Sequence, residues 1–380
     1  MAQVIRMTLV VLFVVGGLCG YPGVAIGNDC TDGVQLSGAK YLICLPESDS
    51  WNGSLVLYAH GYVSPQEPIA IPEDQLKLPD GTSIPELINA LGFAFATTSY
   101  STNGLAVVQG IADLVDLVNI FESKHGEAKF VYLVGASEGG LITTLAVEKH
   151  PEVFDGGVAT CGPVGDFTRH INYLGDFRVV FDYFFPGVMP GEPIDIVPEV
   201  SEYEWENIYV QAISAAISSH PRLVQQLLRV TGAAVDKDDP VSIAETIIGV
   251  LWYNVFATND TIDKLGGNPF DNRRRIYRGS DNDFLLNVMV ERFRAEEAAI
   301  AAIEANYQTS GQLADPLITL HNKLDPIVPY WHEQLYRWKT IRSGSWLQHI
   351  NIPVFRYGHC NFEVDEVLTA FILLVLKSRL

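Results

Sequence analysis

The chain has 380 residues, 48% of them hydrophobic and only 18% charged, a balance that excludes intrinsic disorder and allows one large core or two smaller ones. Aspartate and glutamate outnumber lysine and arginine 45 to 25, giving a formal net charge of −20. Binding to a phosphate backbone relies on clustered cations, so no nucleic-acid partner is expected.

The first 27 residues read as a targeting segment, not as part of the fold. Arg6 gives a basic start, residues 7–18 form an apolar run, and Ala25-Ile26-Gly27 places small residues where a signal peptidase cuts. The run is too short to span a bilayer, so a secreted or periplasmic protein without a stable membrane anchor is expected. Export removes Cys19 and leaves Cys30, Cys44, Cys161 and Cys360. An even number in an oxidising compartment suggests two disulfides, with three connectivities open. No cysteine or histidine pair has the close spacing of a metal site, and no motif asks for a cofactor.

Residues 34–46 hold two short apolar runs split by Ser37-Gly38, a predicted hairpin. Residues 54–59 (SLVLYA) are continuously apolar up to His60-Gly61, the pattern of a strand buried on both faces, and 93–100 (FAFATTSY) repeats it. Helical spacing over 105–122 ends at Lys124-His125-Gly126. A third buried strand at 130–134 precedes a helix at 139–150 and a strand at 156–161 (GGVATC). Such alternation means a parallel sheet with right-handed crossovers. It stops at Asp166, after which the sequence is helical and aromatic, with helices predicted at 203–219, 221–231, 241–256 and 283–306. It resumes with a strand at 316–320 (PLITL), a helix at 330–342, a strand at 352–357 and a helix at 364–377. The expected fold class is therefore α/β: a mostly parallel central sheet flanked by helices, in two parts (28–165 and 313–380), with a helical cap inserted at 166–312.

The chemistry gathers behind the strands. Residues 130–134 run into Gly135-Ala136-Ser137-Glu138-Gly139 and then a helix, a G-x-S-x-G elbow whose glycines leave room for a strained, exposed serine. Serine is a weak nucleophile and needs a base, which in turn needs an orienting acid. Asp325 follows the strand at 316–320, and His359 follows the strand at 352–357, in the required order. His321 also follows a strand, but lies too close to Asp325 in sequence to be its expected partner. His60-Gly61-Tyr62 ends the first buried strand, where the Tyr62 N–H is expected to join that of Glu138 in an oxyanion hole. The Glu138 side chain reads as a carboxylate favoured by the helix dipole, not as an acid of the reaction.

Together, His60-Gly61, the elbow, Asp325-Pro326-Ile327-Val328-Pro329 and Gly358-His359 resemble the α/β-hydrolase superfamily over about residues 50–165 and 313–380. The resemblance implies a serine hydrolase with nucleophile Ser137, acid Asp325 and base His359, and a cap in the helical block. Carboxylic esters, small or polymeric, are the expected substrates, with a serine peptidase as the alternative and a non-catalytic binding protein as a third reading. His359-Cys360 is similar to the tannase and feruloyl esterase group, where a cysteine before the serine bonds to one after the histidine; Ala136 stands at the former position here. Strand order still offers Cys360 a partner. The loop carrying His359 must fold back over intervening strands to reach Ser137, which brings Cys360 towards Cys161 and leaves Cys30 to pair with Cys44. Arg273-Arg274-Arg275 and Arg278 read as surface arginines paired with Asp271, Asp281 or Asp283, and Asp236-Lys237-Asp238-Asp239 as a solvated turn.

Overall fold

A computed structural model describes residues 30–380 except 48 and 79; the targeting segment at 1–27 lies outside the described residues. Its frame is one eight-stranded sheet. β1 (Cys30–Val34) and β2 (Lys40–Cys44) form an antiparallel hairpin, and β2 pairs antiparallel with β4 (Ala94–Thr98). All further neighbours are parallel: β4 with β3 (Leu55–Ala59), then β5 (Val131–Ala136), β6 (Gly157–Thr160), β7 (Leu317–Leu324) and β8 (His349–Tyr357). The order across the sheet is β1-β2-β4-β3-β5-β6-β7-β8.

The hairpin begins earlier than expected. Val34 closes its first strand instead of opening it, because Cys30 to Val34 is polar and carries no apolar signal. What holds this edge strand is the Cys30–Cys44 disulfide, which joins residues directly opposite in the register.

Each central strand is apolar along its whole length because it is covered twice. Leu55, Leu57 and Ala59 face α2 (Val107–His125) and α3 (Glu138–Lys149), while Val56 and Tyr58 face α1 (Ile84–Ala90) and α12 (Val364–Lys377). The period of two thus sorts one strand's residues into two cores. α11 (Trp331–Ser343) lies between β7 and β8 in the chain and adds Tyr336 to the first of them.

The stretch 166–312 is mostly helical and places most of its buried apolar residues, from Phe177 to Val290, in a third core, while Phe167, Leu265, Ala299, Ile303 and Tyr307 join the first. It opens with α4 (Phe167–Phe184), an element absent from the sequence reading, which Asp166 caps by accepting the Arg169 N–H at 2.9 Å. α5 (Glu202–Glu204) continues through a π-helical turn, Trp205–Tyr209, into α6 (Val210–Ser219), followed by α7 (Pro221–Thr231). α8 (Val241–Leu265) runs nine residues beyond the expected end at Phe256, because the polar stretch after it has partners. Asp260 accepts the Leu105 N–H at 2.7 Å, and Lys264 reaches the carbonyl of Asn103. The single helix expected at 283–306 is two, α9 (Asp283–Met289) and α10 (Glu297–Asn306). The segment between them is held extended by side chains: Asn272 accepts the Phe293 N–H, and Arg292 donates to the carbonyls of Asn272, Arg275 and Asn287. Arg178 ties the block together from inside, donating to Asp182, Asn254 and the carbonyls of Pro190 and Gly191 while fully buried.

This helical block rests on loops that leave the carboxyl ends of the strands. Tyr62, beyond β3, donates its hydroxyl to the Phe256 carbonyl; Tyr173 donates to that of Pro326, beyond β7; Tyr357, at the end of β8, bonds Thr246. Ile327 and Val328 belong to the block's own core.

Candidate active site

Ser137 sits between β5 and α3 with φ 57 and ψ −118, a conformation L-residues avoid and one that costs on the order of 1–3 kcal/mol. The Ser137 N–H donates to the Thr160 carbonyl of β6 at 2.9 Å, which fixes the turn. Both elbow glycines are sterically required. A Cβ on Gly139 would strike the Ala59 carbonyl, and one on Gly135 the Gly139 carbonyl. Gly61 is less tightly confined: a Cβ there would lie 3.3 Å from that of Ser137.

His359 and Asp325 come from the far side of the sheet. His359, in the loop after β8, presents Nε2 to Ser137 Oγ at 2.8 Å and Nδ1 to Asp325 Oδ2 at 2.8 Å. Asp325 is buried, and its Oδ1 accepts the N–H groups of Ile327 and Val328, both at 2.9 Å. Burial alone would raise its pKa, but the neighbouring His359 and His321 outweigh it and hold the carboxyl down at about 2. A serine elbow after β5, an acid after β7 and a histidine after β8, on a sheet of this strand order, decide the architecture. The fold is that of the α/β-hydrolases.

No family model matches the sequence, and no curated protein does. Among solved structures, Pyrococcus horikoshii acylaminoacyl peptidase aligns with 87% of this chain at 10% identity and a TM-score of 0.42, and the chain spans only 37% of that peptidase's length. The Pyrococcus furiosus esterase Pf2001 aligns over 96% of this chain and 95% of its own, at 11% identity and a TM-score of 0.47. Est1E from Butyrivibrio proteoclasticus covers 93% of this chain and 99% of its own, at 10% and 0.40.

In this fold the backbone N–H groups of Tyr62 and Glu138 donate to no acceptor among the described residues. Gln75 fixes the loop that carries the first of them, accepting from the Gly61 N–H at 2.7 Å and donating to the Tyr62 carbonyl. His60 is buried, stacked on Tyr100 at 3.9 Å, and burial lowers its pKa to about 4, so its ring is neutral. Its part in the site is structural: its carbonyl accepts the Tyr100 hydroxyl, and its Nδ1 meets the Gly61 carbonyl at 2.7 Å.

Two sequence readings need correction. His321 was discounted as a partner of Asp325, yet its Nε2 lies 3.5 Å from Asp325 Oδ2. β7 continues past Leu320, so His321 is not in a loop but on a strand, four residues and one turn of chain from the acid. Glu138, read as a helix-end carboxylate favoured by the dipole, is instead buried with its Oε1 accepting the Ala106 N–H at 2.8 Å. Burial raises its pKa to about 8 despite that hydrogen bond and the nearby Lys264. A dipole effect of about 1 kcal/mol cannot offset such desolvation.

Cys360, next to the base, is bonded to Cys161, which follows β6. Cys161, His359 and Cys360 lie close enough to resemble a ligand set, but both sulfurs are spent on each other and offer no thiolate. Two of the four clustered arginines are paired, Arg273 with Asp271 at 3.0 Å and Arg275 with Asp176 at 2.9 Å, while Asp281 serves Arg222 and Arg229 instead. Asp236 and Asp239 accept the Asp238 and Val241 N–H groups, a turn leading into α8.

Sequence reasoning missed two further groups. Asn322, at the end of β7, grips the histidine loop by donating to the Asn361 carbonyl and accepting the Asn361 N–H. Tyr253 of α8 lies beside Ser137, and burial raises the pKa of its hydroxyl. The polar run His321-Asn322 directly after an apolar strand was the available signal for the first. Nothing local marks Tyr253 among the aromatics of the insertion.

Proposed function

We propose that this protein is a serine hydrolase that cleaves carboxylic esters through an acyl-enzyme. The observation that carries the reading is the unbroken hydrogen-bond chain Ser137–His359–Asp325, set beside two free backbone donors. Ser137 Oγ attacks the ester carbonyl while His359 Nε2 takes its proton; Asp325 orients the ring and balances the imidazolium. The Tyr62 and Glu138 N–H groups receive the developing oxyanion, in a setting where losing one such donor costs roughly 100- to 1000-fold in kcat. His359 then protonates the leaving alcohol, and water, deprotonated by the same nitrogen, releases the acid. No metal or cofactor enters this scheme.

The helical block at 166–312 forms the roof of the substrate site, a role supported by the aromatic cluster Tyr62, Trp252 and Tyr253 beside Ser137. An ester is preferred over a peptide with a free amino terminus because Glu138, the carboxyl adjacent to the nucleophile in sequence, is turned to the Ala106 N–H and largely protonated at neutral pH. Two disulfides support export to an oxidising compartment.

The test is a panel of p-nitrophenyl esters against aminoacyl anilides, run with a fluorophosphonate probe. Esters are expected to turn over and the probe to attach once, at Ser137. Ser137→Ala is expected to abolish both while the protein stays folded, with kcat reduced by several orders of magnitude. Turnover of anilides over esters shifts the reading to a peptidase, and full activity in the alanine variant removes the nucleophile.

A further inference from the structure

Asp325 stands between two histidines, and only one of them is needed for the reaction above. The second, His321, is fully buried on β7. Its Nδ1 meets Glu333 Oε1 at 3.1 Å, and its Nε2 meets the Val328 carbonyl at 2.8 Å and Asp325 Oδ2 at 3.5 Å. Every atom facing either ring nitrogen is an oxygen acceptor, so both nitrogens are furnished as donors. Glu333, on α11, is equally committed to being an acceptor. Its Oε2 takes hydrogen bonds from the Thr319 hydroxyl at 2.6 Å and from Asn351 Nδ2 at 2.8 Å, in addition to the His321 contact on Oε1.

We propose that His321 is a positioning residue for the triad: a permanent imidazolium wedged between Asp325 and Glu333, which holds the Asp325 carboxylate in place and shares its charge. The inference rests on the Ser137–His359–Asp325 reading. The titratable groups around the ring are Asp325 from its own turn, Glu333 and Tyr330 at the start of α11, and His349 at the start of β8. Beyond Asp325 lies His359, and His170 and His332 are near enough to feel the same charge. Burial disfavours a charged His321, but the hydrogen bonds and charges of Asp325 and Glu333 reverse this and carry its pKa to about 10. Burial pushes His349, His170 and His332 towards the neutral form, so the cation is localised on His321.

The consequence for the reaction is a sign. An acid shared with a second cation stabilises the His359 imidazolium less than it would alone. The sharing also fixes Asp325 Oδ2, the atom that orients the ring.

Replacing His321 alone strands Glu333 as a buried unpaired charge, so the informative variant is His321→Gln with Glu333→Gln, which removes both charges and keeps hydrogen-bonding groups in place. The pH dependence of fluorophosphonate labelling is measured for the wild type and the double variant, together with imidazole nitrogen NMR of the wild type. The expected result is an acidic midpoint raised by about half a pH unit or more in the variant, at an effective dielectric of about 20, with slower labelling. His321 in the wild type is expected to remain doubly protonated at pH 8. A neutral His321 at that pH, or a midpoint that does not move in a folded variant, overturns the proposal. A wild type that labels at no pH overturns the triad reading itself, and this role with it.

Discussion

Glu138 gives the most demanding check on the electrostatics of this site. Its carboxyl is buried at the first turn of α3, with the Ala106 N–H as its hydrogen-bond donor, and burial takes its pKa to about 8 from an ordinary value of 4.5. Between those two values the unfolded chain has lost this proton and the folded chain retains it. Stability therefore falls as pH rises from about 4.5 towards 8 and is flat above, because the native state binds the extra proton. At about 1.4 kcal/mol per unit, the loss between pH 5 and pH 9 from this group is about 4 kcal/mol. Glu138→Gln keeps an acceptor for Ala106, keeps the backbone N–H proposed for the oxyanion, and cannot ionise. Urea unfolding of both proteins at pH 5, 7 and 9 should show the glutamine variant gaining on the wild type steadily, by about 4 kcal/mol over the range. Ester turnover should persist in the variant. If the difference in unfolding free energy between the two is the same at pH 5 and pH 9, Glu138 is ionised throughout and the argument fails.

Two further outcomes follow from the packing. Removing the Cys161–Cys360 bond by paired alanine substitution opens a loop spanning 199 residues, for which chain entropy gives a cost of about 5 kcal/mol. It should also lower kcat, whereas the Cys30–Cys44 pair can be removed without loss of turnover; equal activity for both paired variants refutes a role for the bond in holding His359. Arg178→Met leaves Asp182 and Asn254 without their partner inside the helical block, at about 3–5 kcal/mol. A shift in the unfolding midpoint detects it, and an unchanged midpoint shows that the buried guanidinium is dispensable.

What was legible in the sequence followed from burial on two faces. β3, β4 and β5 are continuous apolar runs because helices cover both sides, and such runs stand out without any neighbour's help. The candidate serine, acid and histidine were legible because each follows a predicted strand. β1 was not, since an edge strand pinned by a disulfide needs no apolar residues. The break between α9 and α10 was hidden because it depends on Asn272 reaching in from elsewhere and on Arg292 reaching out to it. His321 was misread for a related reason. A histidine after an apolar strand looks like the end of that strand, and only the tertiary partners Glu333 and Val328 reveal that the sheet continues through it. Glu138 shows the limit of local rules: helix position suggests a favoured anion, while burial, a tertiary effect, raises its pKa.

The bond from Cys161 to Cys360 closes the chain into a covalent ring that contains the entire helical block. A protease that nicks an exposed loop of that block cannot separate the serine-bearing segment from the histidine-bearing one. The product is a two-chain molecule, of unchanged mass apart from one added water, that falls into two pieces only when a thiol is supplied. The helical block can thus be cut without the segments that bear Ser137 and His359 parting, and a non-reducing gel of the nicked protein would still show one band.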